Sequence, residues 1–161
     1  MRFEFEQRWS AAPDDVIEIY LDASFWTGLT DLTATSTPEV LSVERTDLSA
    51  TVRLHYVLAV DLPSEAARFI DPDDVAWIEQ TAWDLSDRSA KVGFLPDQAS
   101  RLLKASATAT LERRGDETIR SIRGEVKVHI PLLGNKVEKV IVSGVNDHLA
   151  EEAEAVRSRL G

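Results

Sequence analysis

Cysteine is absent from this sequence, which removes disulfides, thiolate nucleophiles and cysteine-ligated zinc or iron–sulfur centres from consideration. A reducing, cytoplasmic setting is the expectation that follows. Long apolar runs are also missing. The opening residues MRFEFEQRW alternate charge with aromatic, so neither a signal peptide nor a membrane span is expected there. Basic residues are outnumbered by acidic ones, 18 to 28, and the formal charge of −10 repels phosphate backbones and anionic headgroups. Nucleic acid and stable membrane insertion are therefore not expected as partners. No phosphate-binding glycine loop, dinucleotide fingerprint or Gly-x-Ser-x-Gly elbow occurs, so no cofactor and no catalytic constellation is implied.

What is present is an apolar fraction of 43% in 161 residues, enough for one domain over 1–161 with a substantial core. Residues 2–9 place Phe3, Phe5, Gln7 and Trp9 on one face and charged residues on the other, the period of a half-buried strand. Ser10, as a cap, with Pro13, Asp14 and Asp15 marks a helix start, and that helix ends near Leu21. A second short helix over 23–29 is capped by Asp22 and closed by Gly28. Strands are expected over 39–45 and 51–60, joined at 47–50, the second with Val52, Leu54 and Tyr56 on one face and Arg53 and His55 on the other.

Residues 62–70 read as a brief helix capped by Ser64 and ended by Asp71, Pro72, Asp73 and Asp74, whose spacing does not suit an EF-hand. Four strands follow, over 75–84, 90–95, 102–113 and 118–130. In the third of them Leu103, Ala105, Ala107, Ala109 and Leu111 share a face, and in the fourth Ile122, Gly124, Val126, Val128 and Ile130 do. Pro131 ends the sheet and opens a helix of up to about 29 residues. Its stripe runs through Val137, Val140, Ile141, Gly144, Val145, Leu149 and Val156, with Lys136, Glu138, Asp147 and Glu151 opposite.

The fold expected is thus α+β: a seven-stranded curved antiparallel sheet wrapped around a long C-terminal helix, with two short helices after the first strand. A strongly twisted sheet of that size curls, and one helix does not fill its concave side. Alanines at 105, 107 and 109 make room for a cavity, unless bulky Tyr56, Trp77, Trp83 and Phe94 fill the space as ordinary core.

The segments LPSEAARFI, DVAWIEQTAW and above all GEVKVHIPLLGNKVEKVI resemble the actinobacterial domain-of-unknown-function 2505 family. The matching positions are Val128, Ile130, Pro131, Leu132, Gly134, Lys136 and Glu138, with Asn135 standing where a second glycine is expected. That family is similar to the helix-grip (SRPBCC) superfamily of START lipid-transfer domains, polyketide cyclases and pollen-allergen-like proteins. The resemblance implies the fold and a deep hydrophobic cavity, and carries over no catalytic residue.

Cavity-lining candidates are Tyr56, Trp77, Trp83, Phe94, Ala105, Ala107, Ala109, Val126, Val140, Ile141, Gly144 and His148. Glu79 is a candidate polar anchor because it shares strand parity with Trp77 and Trp83; the alternative register turns it to water. His55 and His129 are expected on the outer face, and His148 with Glu152 has i, i+4 spacing, a metal pair or a helix-surface contact. Three functions fit: binding of a small hydrophobic or lipid-like molecule, a cyclase or aromatase-like enzyme, and a protein-interaction module using an outer face that carries Arg53, Lys104, Thr108, Arg123 and Lys127.

Overall fold

Charge-aromatic alternation at the N-terminus becomes strand β1 (Arg2–Trp9), with Phe3, Gln7 and Trp9 buried and Arg2, Glu4, Glu6 and Arg8 exposed. The computed structural model describes residues 1–71, 75–98 and 101–161. Helices α1 (Pro13–Tyr20) and α2 (Ala23–Thr27) follow. Proline at the start of α1 presets φ and costs no hydrogen bond, since the first helical N–H groups lack intrahelical partners anyway. The residue flanking α1 is Ala12, with no side-chain cap, so Ser10 does not take that role. Asp22 does cap α2, accepting from the Ser24 N–H at 2.9 Å.

The hairpin β2 (Glu39–Arg45) and β3 (Ser49–Val57) comes next, then a 3-10 helix (Ser64–Arg68). Pro63 precedes that helix and Ser64 lies inside it, so the expected Ser64 cap is also absent. Strands β4 (Ala76–Asp84), β5 (Ser89–Pro96), β6 (Leu103–Arg114) and β7 (Glu117–Val128) complete the sheet. Pro72, Asp73 and Asp74 of the acidic run lie outside the described residues.

All neighbouring strands are antiparallel, in the order β1-β7-β6-β5-β4-β3-β2. The chain's first strand therefore closes one edge by pairing with its last. Phe3 lies opposite Gly124 in that pairing. A Cβ at Gly124 would stand 2.4 Å from the Phe3 ring and 2.7 Å from the Ser106 carbonyl, so only glycine lets the ring lie flat across β7.

Helix α3 (Gly134–Leu160, 27 residues) packs along β1 and β7 on the concave face. It begins three residues after Pro131 rather than at it, following a turn in which Leu132 adopts φ 65°. A Cβ at Gly134 would stand 2.5 Å from the Val128 carbonyl, which explains the glycine. Glu138, expected on the polar side, is buried at 3% exposure and accepts from the Val128 N–H at 3.1 Å. The carboxylate thus satisfies a backbone donor where the strand ends, and the N-terminal ammonium lies 3.6 Å away.

The core fills the space between sheet and helices. Val137, Leu149, Ala153 and Val156 of α3 meet Phe3, Trp9, Ile122 and Val126 of the sheet, and Tyr20, Phe25 and Trp26 seal one end. Trp9 donates to the Ala153 carbonyl at 3.0 Å and Gln7 to the Leu149 carbonyl at 2.8 Å. These two bonds fix β1 against α3.

Candidate functional site: a cavity with a polar floor

Between the sheet's concave face and α3 lies a cavity of about 120 Å³. Its size approaches that of an engineered core cavity of about 150 Å³ that takes up benzene. Of the strands, β4 supplies the most wall, with Trp77, Glu79, Thr81 and Trp83 all turned inward, so Glu79 takes the inward register. Tyr56 stands opposite Trp77 across β3 and β4, their rings stacked 5.7 Å apart. Phe94, Ala105, Ala107 and Val126 continue the wall across β5, β6 and β7, and α3 closes it with Ile141, Gly144 and His148.

Two candidates do not reach the cavity. Ala109 is 1% exposed, paired with Ala90 and Ile122 in the closed part of the core. Val140 packs against the core but precedes Ile141 by one residue, about 100° around the helix, and turns away from the opening. Gly144 lines the cavity but does not face the β6 alanines. Its nearest neighbours for a Cβ are Val60 at 3.5 Å and Ala34 at 3.6 Å.

The floor is polar, and its centre is a residue that strand parity should have found. Arg120 lies two positions before Ile122 on β7 and points inward, 7% exposed. Its Nη1 donates to Glu152 at 2.8 Å, Gln7 at 3.1 Å and Tyr20 at 3.2 Å. The guanidinium also sits 4.5 Å from the centre of the Tyr20 ring. The Tyr20 hydroxyl donates to the same Glu152 oxygen at 2.8 Å. Glu152 is buried at 4%, so its i, i+4 relation to His148 is an internal contact, not one on the helix surface. His148 Nε2 is 3.5 Å from the other Glu152 oxygen, and its Nδ1 is 3.1 Å from the Thr35 hydroxyl. Among the described residues, no group of three or more metal-ligating side chains is arranged to hold an ion.

Two glutamates in one cavity are driven in opposite directions. Burial alone would raise the Glu152 pKa, but the contact with His148 and the charge of Arg120 outweigh it and hold the carboxyl at about 2. Among the described residues, Glu79 has no such partner. Burial dominates and, with the Glu152 charge added, lifts it to about 7 against the opposing pull of His148 and Arg120. Burial lowers the His148 pKa, yet its contact with Glu152 prevails and the net shift is upward. The site therefore pairs a fixed carboxylate–arginine couple with a carboxyl whose proton is exchangeable near neutral pH. Chemically it can enclose an apolar molecule, bond a polar head, and give or take one proton.

The histidines on the sheet lie outside this arrangement. His55 is on the outer face, 2.7 Å from Asp97, and His129 is exposed. On that outer face Arg123 is 3.5 Å from Glu4.

No curated protein matches the sequence. Solved structures do share the fold. TTHA0849 from Thermus thermophilus is 17% identical, covers 100% of both chains and superposes with a TM-score of 0.69. The Zhui aromatase/cyclase from Streptomyces sp. R1128 is 16% identical over 99% of this chain and 92% of that one, with a TM-score of 0.65. A START superfamily protein from Mycobacterium smegmatis is 14% identical over 99% of each chain, with a TM-score of 0.61. At such identities the likeness is one of fold alone, that of the START and helix-grip proteins. Residues 4–160 match the family described as protein of unknown function DUF2505, and the chain belongs to that family.

Proposed function

We propose that this protein binds a small, mainly apolar molecule in the cavity between β4 and α3. The observation that carries the reading is the wall itself: Tyr56, Trp77, Trp83, Phe94, Ala105 and Ile141 enclose a space of about 120 Å³. Aromatic and aliphatic burial with a few polar anchors is the usual composition of a small-molecule site. The experiment is native mass spectrometry after incubation with cell lipid extract, alongside titration of a hydrophobic fluorophore. A bound mass, and fluorophore displacement by the same extract, are the expected results. Repeatedly empty spectra with no fluorophore uptake by the folded protein would remove the reading.

A second reading, acid–base chemistry on the bound molecule, is favoured by Glu79 alone. A carboxyl at about 7 inside an apolar cavity is poised to transfer a proton at neutral pH. It predicts that Glu79→Gln loses far more in turnover than in ligand affinity, tested by assaying both on the identified ligand. Equal turnover in the two proteins would dispose of it.

A further inference from the structure

Among the described residues, Glu79, Tyr56 and Trp77 stand together on the cavity wall with polar groups that have no hydrogen-bond partner, and Arg120 Nε on the floor is also unpartnered. Among the described residues the Glu79 carboxyl receives no hydrogen bond, and it is acted on through burial and through the more distant charges of His148, Glu152 and Arg120. The Tyr56 hydroxyl and the Trp77 indole N–H are buried and unpartnered. Trp77 and Glu79 occupy successive inward positions of β4, and Tyr56 is the cross-strand partner of Trp77. One acceptor and two donors thus wait on the same part of the wall, where unmet polar groups are costly.

The chemistry that completes such a set both donates and accepts. A cationic head would suit Glu79 but meet Arg120 and His148, both lining the cavity. An anionic head would meet Glu79 and Glu152. A hydroxyl, uncharged, has one proton for a carboxyl oxygen and lone pairs for the two donors. The remaining space is about 120 Å³, which suits a single ring. We infer that the ligand is an uncharged, ring-sized apolar molecule bearing a hydroxyl, whose O–H donates to Glu79 and whose oxygen accepts from Tyr56 or Trp77. This inference rests on the reading that the cavity holds an apolar molecule.

The test uses probes that share one ring and differ in one group: p-cresol, p-xylene, benzylamine and benzoate, titrated at pH 8 by calorimetry and ligand-observed NMR. Because p-xylene leaves water more readily than p-cresol, the quantity that matters is the ratio of their Kd values in wild type against that in Glu79→Met. The substitution conserves volume and removes the acceptor, and thermal unfolding confirms that the variant is folded. The expected result is that the preference for p-cresol falls roughly tenfold in Glu79→Met, the size of one hydrogen bond to a charged group. Glu79→Gln, which keeps a carbonyl acceptor, should fall between. A ratio unchanged in Glu79→Met, or tighter binding of benzylamine or benzoate than of p-cresol, overturns the hydroxyl assignment while leaving apolar binding intact. Failure of every probe to bind folded wild type would instead remove the underlying reading and the inference with it.

Discussion

Glu79 and Glu152 face one cavity, but only one of them is stabilised as an anion, and the difference should be visible in stability against pH. Glu79 has its pKa raised from 4.5 to about 7 in the folded chain. The folded state therefore binds more protons than the unfolded one between those values, and its stability falls as pH rises through that window. Replacing Glu79 by Gln removes this slope. Relative to wild type, Glu79→Gln should gain stability between pH 5 and pH 8, by at most about 3 kcal/mol. Denaturant midpoints at the two pH values measure it, and a constant difference would mean that Glu79 is ionised throughout. Glu152, lowered from the ordinary 4.5 to about 2, has the opposite sign: its contribution is present above pH 4.5 and is lost as pH falls towards 2. Arg120→Met should strand that carboxylate in the interior and cost about 3–5 kcal/mol, the usual penalty for breaking a buried pair. Adding Glu152→Met should recover part of the loss, and a double variant less stable than Arg120→Met would contradict the pairing. Glu79 was legible in the sequence because it alternates with Trp77 and Trp83. Arg120 was not, although it alternates with Ile122 and Val126. Arginine is normally read as a surface residue, and what makes its burial tolerable is a glutamate 32 positions away.

At the scale of elements, periodicity revealed which segments form and which face they bury, while their ends were set by contacts that periodicity does not carry. Ser10 and Ser64 have the right chemistry for caps, yet neither serves as one. Helix α3 starts where Gly134 can sit against the Val128 carbonyl and Glu138 can reach the Val128 N–H, both tertiary conditions. The same helix accepts from Gln7 and Trp9 of β1 through its own carbonyls, and from Arg120 and Tyr20 through Glu152. Truncation from Lys136 onward should therefore do more than expose apolar sheet: it orphans four polar side chains in the core. The expected outcome is a chain without a cooperative unfolding transition by circular dichroism. A sharp transition in the truncated chain would show that α3 is an appendage. Gly124→Ala tests the opposite edge. The Cβ would press into the Phe3 ring and the Ser106 carbonyl, so strand β1 must shift, and overpacking of this kind costs about 1–3 kcal/mol. Unchanged thermal stability would place the Phe3 ring elsewhere.

Across the whole molecule, the inward face of β6 runs from open space to closed core within a few residues. Ala105 and Ala107 line the cavity, whereas Ala109 does not. From sequence the three alanines were equivalent, because each is small and inward. What separates them is where the aromatic residues of α1 and α2 come down. Tyr20 and Trp26 each pack edge to face against Phe25, and Tyr20 also reaches Trp83, so the end of the sheet near Ala90 and Ala109 is filled. At the other end the space is bounded by Trp77, Phe94 and the 141–145 turn of α3. The contrast makes a paired experiment decisive. Ala105→Leu should project into the cavity, keep stability within about 1 kcal/mol of wild type, and weaken uptake of a hydrophobic probe by displacing it. Ala109→Leu adds the same volume where none is free and should cost about 1–3 kcal/mol while leaving probe affinity unchanged in the folded fraction. Thermal unfolding and probe titration on both variants separate volume from position, since hydrophobicity changes equally in the two. If Ala105→Leu proved as destabilising as Ala109→Leu and left probe uptake untouched, the space beside β6 would not be the binding site.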